Sequence, residues 1–271
     1  MMNITPVVKQ LLIINVIFFI GSQFAPLAEE LFALYNPQNN HFQYWQPITH
    51  MFMHGNIMHI FFNMFALYSF GSALEHFWGG KKFIFFYISC GLGAALLQLG
   101  VNYLELQNAL KAASDLELTN ATLHKILNIS FSDGVSYRSD LFIKGLEPIL
   151  QSVGKVELAN QSNITALFQA AAQNQTPMVG ASGAIYGLLV AFAFMFPNAE
   201  LMMMFIPVPI KAKFFVPIII GLDLFLGVAG NSIFGDGPGG VAHFAHIGGA
   251  IIGFIMMWYW KKNQFNDRRW N

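Results

Sequence analysis

Charge is the scarcest resource in this chain. Lys and Arg number 14 and Asp and Glu 14, so charged side chains make up 10% of 271 residues and the net charge is zero. With neither a basic tract nor a positive balance, the chain has no electrostatic footprint for nucleic acid. Cysteine is nearly absent too. Cys90 stands alone in an apolar run, so it can form no internal disulfide and says little about redox compartment. Polar sequence of ordinary soluble composition is confined to about 105–176. What fills the rest is hydrocarbon: 55% of residues are hydrophobic, Phe alone numbers 28 and the mean hydropathy is +0.50, the composition of a polytopic membrane protein.

Apolar windows of spanning length fall at about 9–28, 56–77, 82–104, 178–197, 212–232 and 242–261. Six transmembrane helices are the economical count. The first window has Lys9 before it and Gly21, Ser22 and Ala25 after it, as a signal peptide would. A retained helix is the better reading, because apolar residues continue through Phe24, Leu27 and Leu31 without a clear A-x-A site. Nine of the fourteen basic residues (Lys9, Lys81, Lys82, Lys211, Lys213, Lys261, Lys262, Arg268 and Arg269) then share one side with both termini. The positive-inside rule makes that side cytoplasmic.

Residues 105–176 carry seven acids against five bases and fall on the outer side, with Glu29, Glu30 and Asp236. This extracytoplasmic insertion between helices three and four is too long for a plain connection. Apolar spacings at Leu106, Ala109, Leu110 and Ala113, and again at Ile164, Leu167 and Phe168, predict short amphipathic helices around a strand or turn near Ser130–Tyr137. Its place on the outer side suggests that it restricts or recruits substrates. The sequons Asn120-Ala-Thr122 and Asn163-Ile-Thr165 are expected by chance in a stretch this rich in Asn and Ser.

The run Gly180-Ala181-Ser182-Gly183-Ala184-Ile185-Tyr186-Gly187 puts a hydroxyl at the outer end of helix four, with small residues one turn apart. In the last window His246 is followed by Gly249, Ala250 and Gly253. Two matched small faces let helices approach closely, so a Ser182–His246 contact is reasonable. Imidazole is the base best suited to activate a serine near neutral pH. Asp223 lies deep in helix five and Asp236 in an outer loop, so a dyad is more economical than a triad, with the Tyr186 ring orienting the imidazole. Helix two offers His59 and Asn63 at i and i+4 as donors for a developing oxyanion, joined by the Ser182 amide at a helix start.

Blander readings exist for each residue. Ser182 on its own reads as a packing residue of a glycine-rich interface, and His59 with Asn63 as a structural interhelical hydrogen bond. His243, one turn before His246, reads as structural or cavity-lining. His50, His54 and His59 suggest a metal, yet no HExxH glutamate or Cys pair completes a site. Asp223, the acid well inside a span, suits a packing or hydrogen-bonding role better than a proton or ion path, which would need further intramembrane carboxylates.

Taken jointly, Gly180-x-Ser182-Gly183 with Tyr186, Ala245-His246-Ile247-Gly248-Gly249, and His54-x4-His59-x3-Asn63 resemble the rhomboid family of intramembrane serine proteases. The resemblance implies an all-α six-helix bundle formed by the chain 1–271 around its 105–176 insertion, with Ser182 as nucleophile and His246 as general base and acid. It implies Asn63, His59 and the Ser182 amide as the oxyanion hole, Tyr186 stacked on His246, and Gly180 and Gly183 in support. It implies no cofactor or metal, transmembrane proteins as substrates, and membrane lipid as surroundings; the oligomeric state is left open. Helix five and the loop Phe234–Gly240 would admit substrate, the glycines letting the loop act as a cap. Where the family often has Trp-Arg in the first outer loop this chain has Trp45-Gln46, which puts that loop's polar anchoring in question. Compact helices without a cytoplasmic domain suggest a bacterial inner membrane.

Overall fold

Lipid offers no partner to a backbone amide, so apolar windows of this length must satisfy their N–H and C=O groups within helices. In the computed structural model, which describes residues 4–25, 27–134, 136–203, 206–229 and 242–264, each of the six windows falls on helix. The Phe234–Gly240 loop, Asp236, Arg268 and Arg269 lie outside the described residues.

Helix α1 is Pro6–Phe24, and short helices α2 (Leu27–Phe32) and α3 (Gln46–Thr49) shape the loop after it. The second window is one span, Ile57–Trp78, made of α4 (Ile57–Ala66), a π-helical turn at Leu67–Gly71 and α5 (Ser72–Trp78). Helix α6 (Gly80–Lys111) runs past the third window and leads to α7 (Asn120–Leu127), α8 (Ser139–Ser152) and α9 (Gln161–Gln175). Then come α10 (Ser182–Met195), an antiparallel hairpin of β1 (Glu200–Met203) and β2 (Ile206–Lys211), α11 (Ala212–Ala229) and α12 (His243–Gln264). The hairpin departs from an all-α reading, although the chain remains mostly helical. Among the described residues, four helices are long and apolar enough to cross a bilayer: α1, the Ile57–Trp78 span, α6 and α11. Helix α10 is apolar but has only 14 residues, about 21 Å at 1.5 Å per residue, shorter than a hydrocarbon layer of about 30 Å.

Helices α6, α10 and α12 form the centre. Phe83, Phe86, Tyr87 and Cys90 of α6 pack with Ala184, Leu188 and Ala191 of α10 and with Met257 and Trp260 of α12. The small-residue faces meet as their spacing suggests. A methyl group added at Gly249 would lie 1.8 Å from the Gly183 carbonyl oxygen, so the two backbones touch. Outward-facing Phe85, Leu96, Phe225 and Val228 are each more than 60% exposed, as hydrocarbon-solvated side chains should be. At one end Glu75 accepts hydrogen bonds from the Val7 and Val8 amides and the Thr5 hydroxyl, so its carboxylate closes the N-terminus of α1. Val8 and Leu11 of that helix are core residues.

Residues 106–171 carry a core of their own. Leu106, Leu116, Ile126, Phe131, Phe142, Leu146 and Leu167 are buried together, and Ser132 and Tyr137 form an isolated antiparallel bridge. The expected turn and the helix at Ile164–Phe168 are present, whereas Leu106, Ala109 and Leu110 belong to the end of α6 and not to a separate short helix. Asn163 of the second sequon is buried, caps α9 reciprocally with Asn160 and donates to the Asp115 carboxylate. Amides tie this unit to the first outer loop: Asn36 donates to the Gln173 carbonyl, Asn39 to that of Asn174, and Asn128 to that of Gln38. Between loop and unit lies a polar cavity of about 520 Å³, lined in part by Glu29, Glu30, Tyr35, His41 and Tyr137.

Gln46 resolves the question raised by its position. Fully buried, it donates to the carbonyls of Glu30 and His41 and accepts from the Tyr35 amide, while the Trp45 indole donates to the Leu31 carbonyl. An amide carrying both donor and acceptor pins the loop without a charge.

Candidate active site

Helix α10 begins at Ser182, after Gly180 at positive φ and Ala181 already in the helical region. The Gly180 amide donates to the His50 carbonyl, and Met178 pairs with Leu34 in a short antiparallel bridge. These ties hold the residues before the serine against the first outer loop. The amides of a first helical turn have no upstream carbonyl to bond, so the Ser182 end of α10 presents free donors.

The Ser182 hydroxyl stands 2.8 Å from His246 Nε2. The rings of Tyr186 and His246 are stacked at 4.2 Å with planes 10° apart. Opposite the serine, His246 Nδ1 lies 3.1 Å from one oxygen of Asp223, while Nδ1 of His243 lies 2.5 Å from the other. The network sets the protons: Nδ1 of His246 donates to the carboxylate, and Nε2 accepts from the serine hydroxyl. His246, Asp223 and His243 are all less than 10% exposed.

Gly180 has φ +120°, a conformation that side chains rarely adopt. A methyl group there would meet His59 Nε2 at 2.7 Å and the Ser182 oxygen at 3.5 Å. Glycine therefore keeps open a space bounded by His59 on α4 and by the serine. One turn along α4, Asn63 is 5% exposed and its amide nitrogen has no hydrogen-bond acceptor among the described residues. A buried donor without an acceptor costs about 1–3 kcal/mol. Gly183 sits under the crossing of α6 and α12, close to Ala94 and the Ala245 carbonyl.

One sequence expectation changes here. Asp223, too deep in helix five for a triad on the sequence reading, is in contact with His246 through a hydrogen bond. It is 6 residues, about 9 Å, from Ala229, and His246 is 3 residues, about 4.5 Å, from the start of α12, so both lie within two turns of a helix end. His243 engages the same carboxylate, as its structural reading allows. The signal was there in the lone acid within an apolar span. Conversely, His50, His54 and His59 do not gather as metal ligands: His50 Nδ1 bonds the Gln46 carbonyl, and His54 meets His59 ring edge to face at 5.0 Å. Among the described residues, the group with donor atoms close enough to share an ion is Asp223, His243 and His246, within 4.8 Å of one another.

The Rhomboid domain profile matches residues 41–107 and 157–263, more than half of the chain. The chain belongs to the rhomboid family. The two matched stretches hold His59 and Asn63 in the first and Ser182, His246 and Asp223 in the second; residues 108–156 fall between them. An uncharacterised mitochondrial rhomboid protein of Schizosaccharomyces pombe is 25% identical over 241 residues, 86% of this chain and 54% of that protein. Rhomboid protease AarA of Providencia stuartii is 28% identical over 166 residues, 56% of each chain. Rhomboid protein 1, mitochondrial, of Saccharomyces cerevisiae is 31% identical over 86 residues, 32% of this chain and 23% of that one. The chain thus spans about half the length of the first two relatives or less in the third. Apolar helices and rhomboid membership make it an integral membrane protein. Two of the three relatives are mitochondrial by name, so the comparisons give no support to a bacterial inner membrane in particular.

Proposed function

We propose that this rhomboid protein is an intramembrane serine endopeptidase that cuts a peptide bond within or beside a transmembrane segment of another membrane protein. The observation that carries the reading is the 2.8 Å contact between the Ser182 hydroxyl and His246 Nε2, at a helix start and under a stacked tyrosine. The name of the Providencia relative, a rhomboid protease, points the same way. In the full reading, six spans enclose the site, both termini face the basic, cytoplasmic side, and residues 105–176 form an outward insertion.

The chemistry follows from the positions. A scissile carbonyl must leave its own helix before it can be attacked, because helical hydrogen bonds hide it. Ser182 Oγ attacks the carbonyl carbon while its proton passes to His246 Nε2. Negative charge then develops on the carbonyl oxygen in the space that Gly180 keeps open, where the Asn63 amide, His59 and the Ser182 amide donate to it. Collapse breaks the C–N bond, His246 returns its proton to the leaving amine, and water hydrolyses the acyl-enzyme by the same path reversed.

The test is cleavage of a reporter transmembrane substrate by protein reconstituted in lipid. Both Ser182→Ala and His246→Ala are expected to lose cleavage while keeping the fold. Cleavage that persists in Ser182→Ala would overturn the nucleophile assignment, and a wild type silent across a broad substrate panel would favour a binding protein that holds client helices without cutting them.

A further inference from the structure

We propose that Asp223 is the positioning residue of this site, turning the serine–histidine pair into a serine–histidine–aspartate relay, and that His243 holds Asp223 in place. The inference rests on the protease reading above and adds a member that the family resemblance does not supply. Both nitrogens of His246 are engaged, Nε2 by the nucleophile at 2.8 Å and Nδ1 by the carboxylate at 3.1 Å. An imidazole free to rotate or to change tautomer would present its N–H to the serine half of the time and be useless as a base. The carboxylate fixes the tautomer with its lone pair toward Ser182, and its negative charge balances the imidazolium formed during attack.

The setting argues against simple packing. Helix α11 is one of the most outward-facing in the molecule: Ile218, Leu222, Leu224, Phe225 and Val228 are each 47–75% exposed. Its other buried residues, Ala212, Phe215 and Val216, sit at the end that follows the hairpin, with Ile219 and Ile220 partly buried beside them, so Asp223 is the buried polar group farther along the helix. A carboxylate at that depth is expensive and persists where it has partners. Each oxygen has an imidazole. Tyr186 fixes the plane of His246 with its ring. His243 occupies the second oxygen, which leaves the first directed at His246.

The experiment measures kcat and KM for a transmembrane reporter, the rate at which a fluorophosphonate labels Ser182, and thermal unfolding, in wild type, Asp223→Asn, Asp223→Glu and Ser182→Ala. Asp223→Asn is expected to lower kcat about 10²-fold or more with KM within about twofold, and to slow labelling in parallel, because an amide can hold the wrong tautomer. Asp223→Glu is expected to recover part of the loss. Low-field imidazole proton resonances, read on Ser182→Ala, give a measurement independent of whether Asp223→Asn folds: two Nδ1 protons are expected, one of which disappears on adding His246→Ala. A divalent cation would use the same three side chains, so kcat is also read after dialysis against EDTA and is expected to be unchanged. Wild-type kcat in folded Asp223→Asn, absence of the low-field resonances, or activity lost to EDTA and restored by Zn2+ would each overturn the proposal. If Ser182→Ala still cleaves, it is the protease reading itself that fails.

Discussion

At the scale of single residues, the site depends on one backbone conformation as much as on any side chain. Gly180 combines φ +120° with a 2.7 Å approach to His59 Nε2, so a methyl group there would both strain the chain and fill the space where an oxyanion must form. Gly180→Ala is therefore expected to cut the rate of substrate cleavage by about 10²–10³-fold, the range for losing an oxyanion donor, beyond what the accompanying loss of stability accounts for in the folded fraction. Equal loss of stability and activity would mean that the glycine serves only the fold. Ser182, His246, Tyr186, Gly180 and His59 were legible in sequence because their motifs are local and their partners recur at helical spacing. The Asp223 contact was not, because which face of α11 turns inward depends on how two helices cross and not on any pattern within 212–229.

Among elements, the decisive contact is the crossing of α10 and α12, where backbone meets backbone. The Gly249 site leaves 1.8 Å between an added carbon and the Gly183 carbonyl oxygen, and Gly253 faces Gly187 in the same way. Gly249→Ala must push the helices apart, which is expected to cost about 1–3 kcal/mol or more and to separate Ser182 from His246. Thermal unfolding and fluorophosphonate labelling check the two halves of that expectation, and unchanged values in both would show that the crossing yields at no cost. The stripe Gly249, Ala250, Gly253 announced this packing in the sequence. The β1–β2 hairpin was not announced: Pro207 and Pro209 break helical periodicity, but only a partner strand makes such a segment a ladder.

For the whole molecule, the first outer loop is where the membrane core, the serine-bearing segment and the unit of residues 106–171 meet. His50 ties them: fully buried, it donates from Nδ1 to the Gln46 carbonyl while its own carbonyl receives the Gly180 amide. Burial pushes the His50 imidazole down from its ordinary 6.5 to about 4, with the backbone hydrogen bonds opposing less strongly. The unfolded chain therefore binds more protons than the folded one between these values, so this contribution to stability is complete above pH about 6.5 and is lost progressively as pH falls toward about 4. Unfolding temperatures measured across that window should drop toward acid in the wild type and drop less in His50→Asn. Parallel curves would remove His50 as the cause.

The sequence by itself determined the medium, the helical windows, the family motifs and the small-residue faces, because hydropathy and periodicity act within one segment at a time. It also marked residues 105–176 as a separate polar stretch, whose short helices and turn are present. Only the tertiary structure decided which carboxylate meets His246, how Gln46 anchors the outer loop in place of a charge, and that the bare Gly180 backbone faces His59. Apart from the Gln46–His41 bond, each of those is a contact between residues more than ten positions apart. Helix rotation and crossing set such contacts, and packing of all the helices together fixes them.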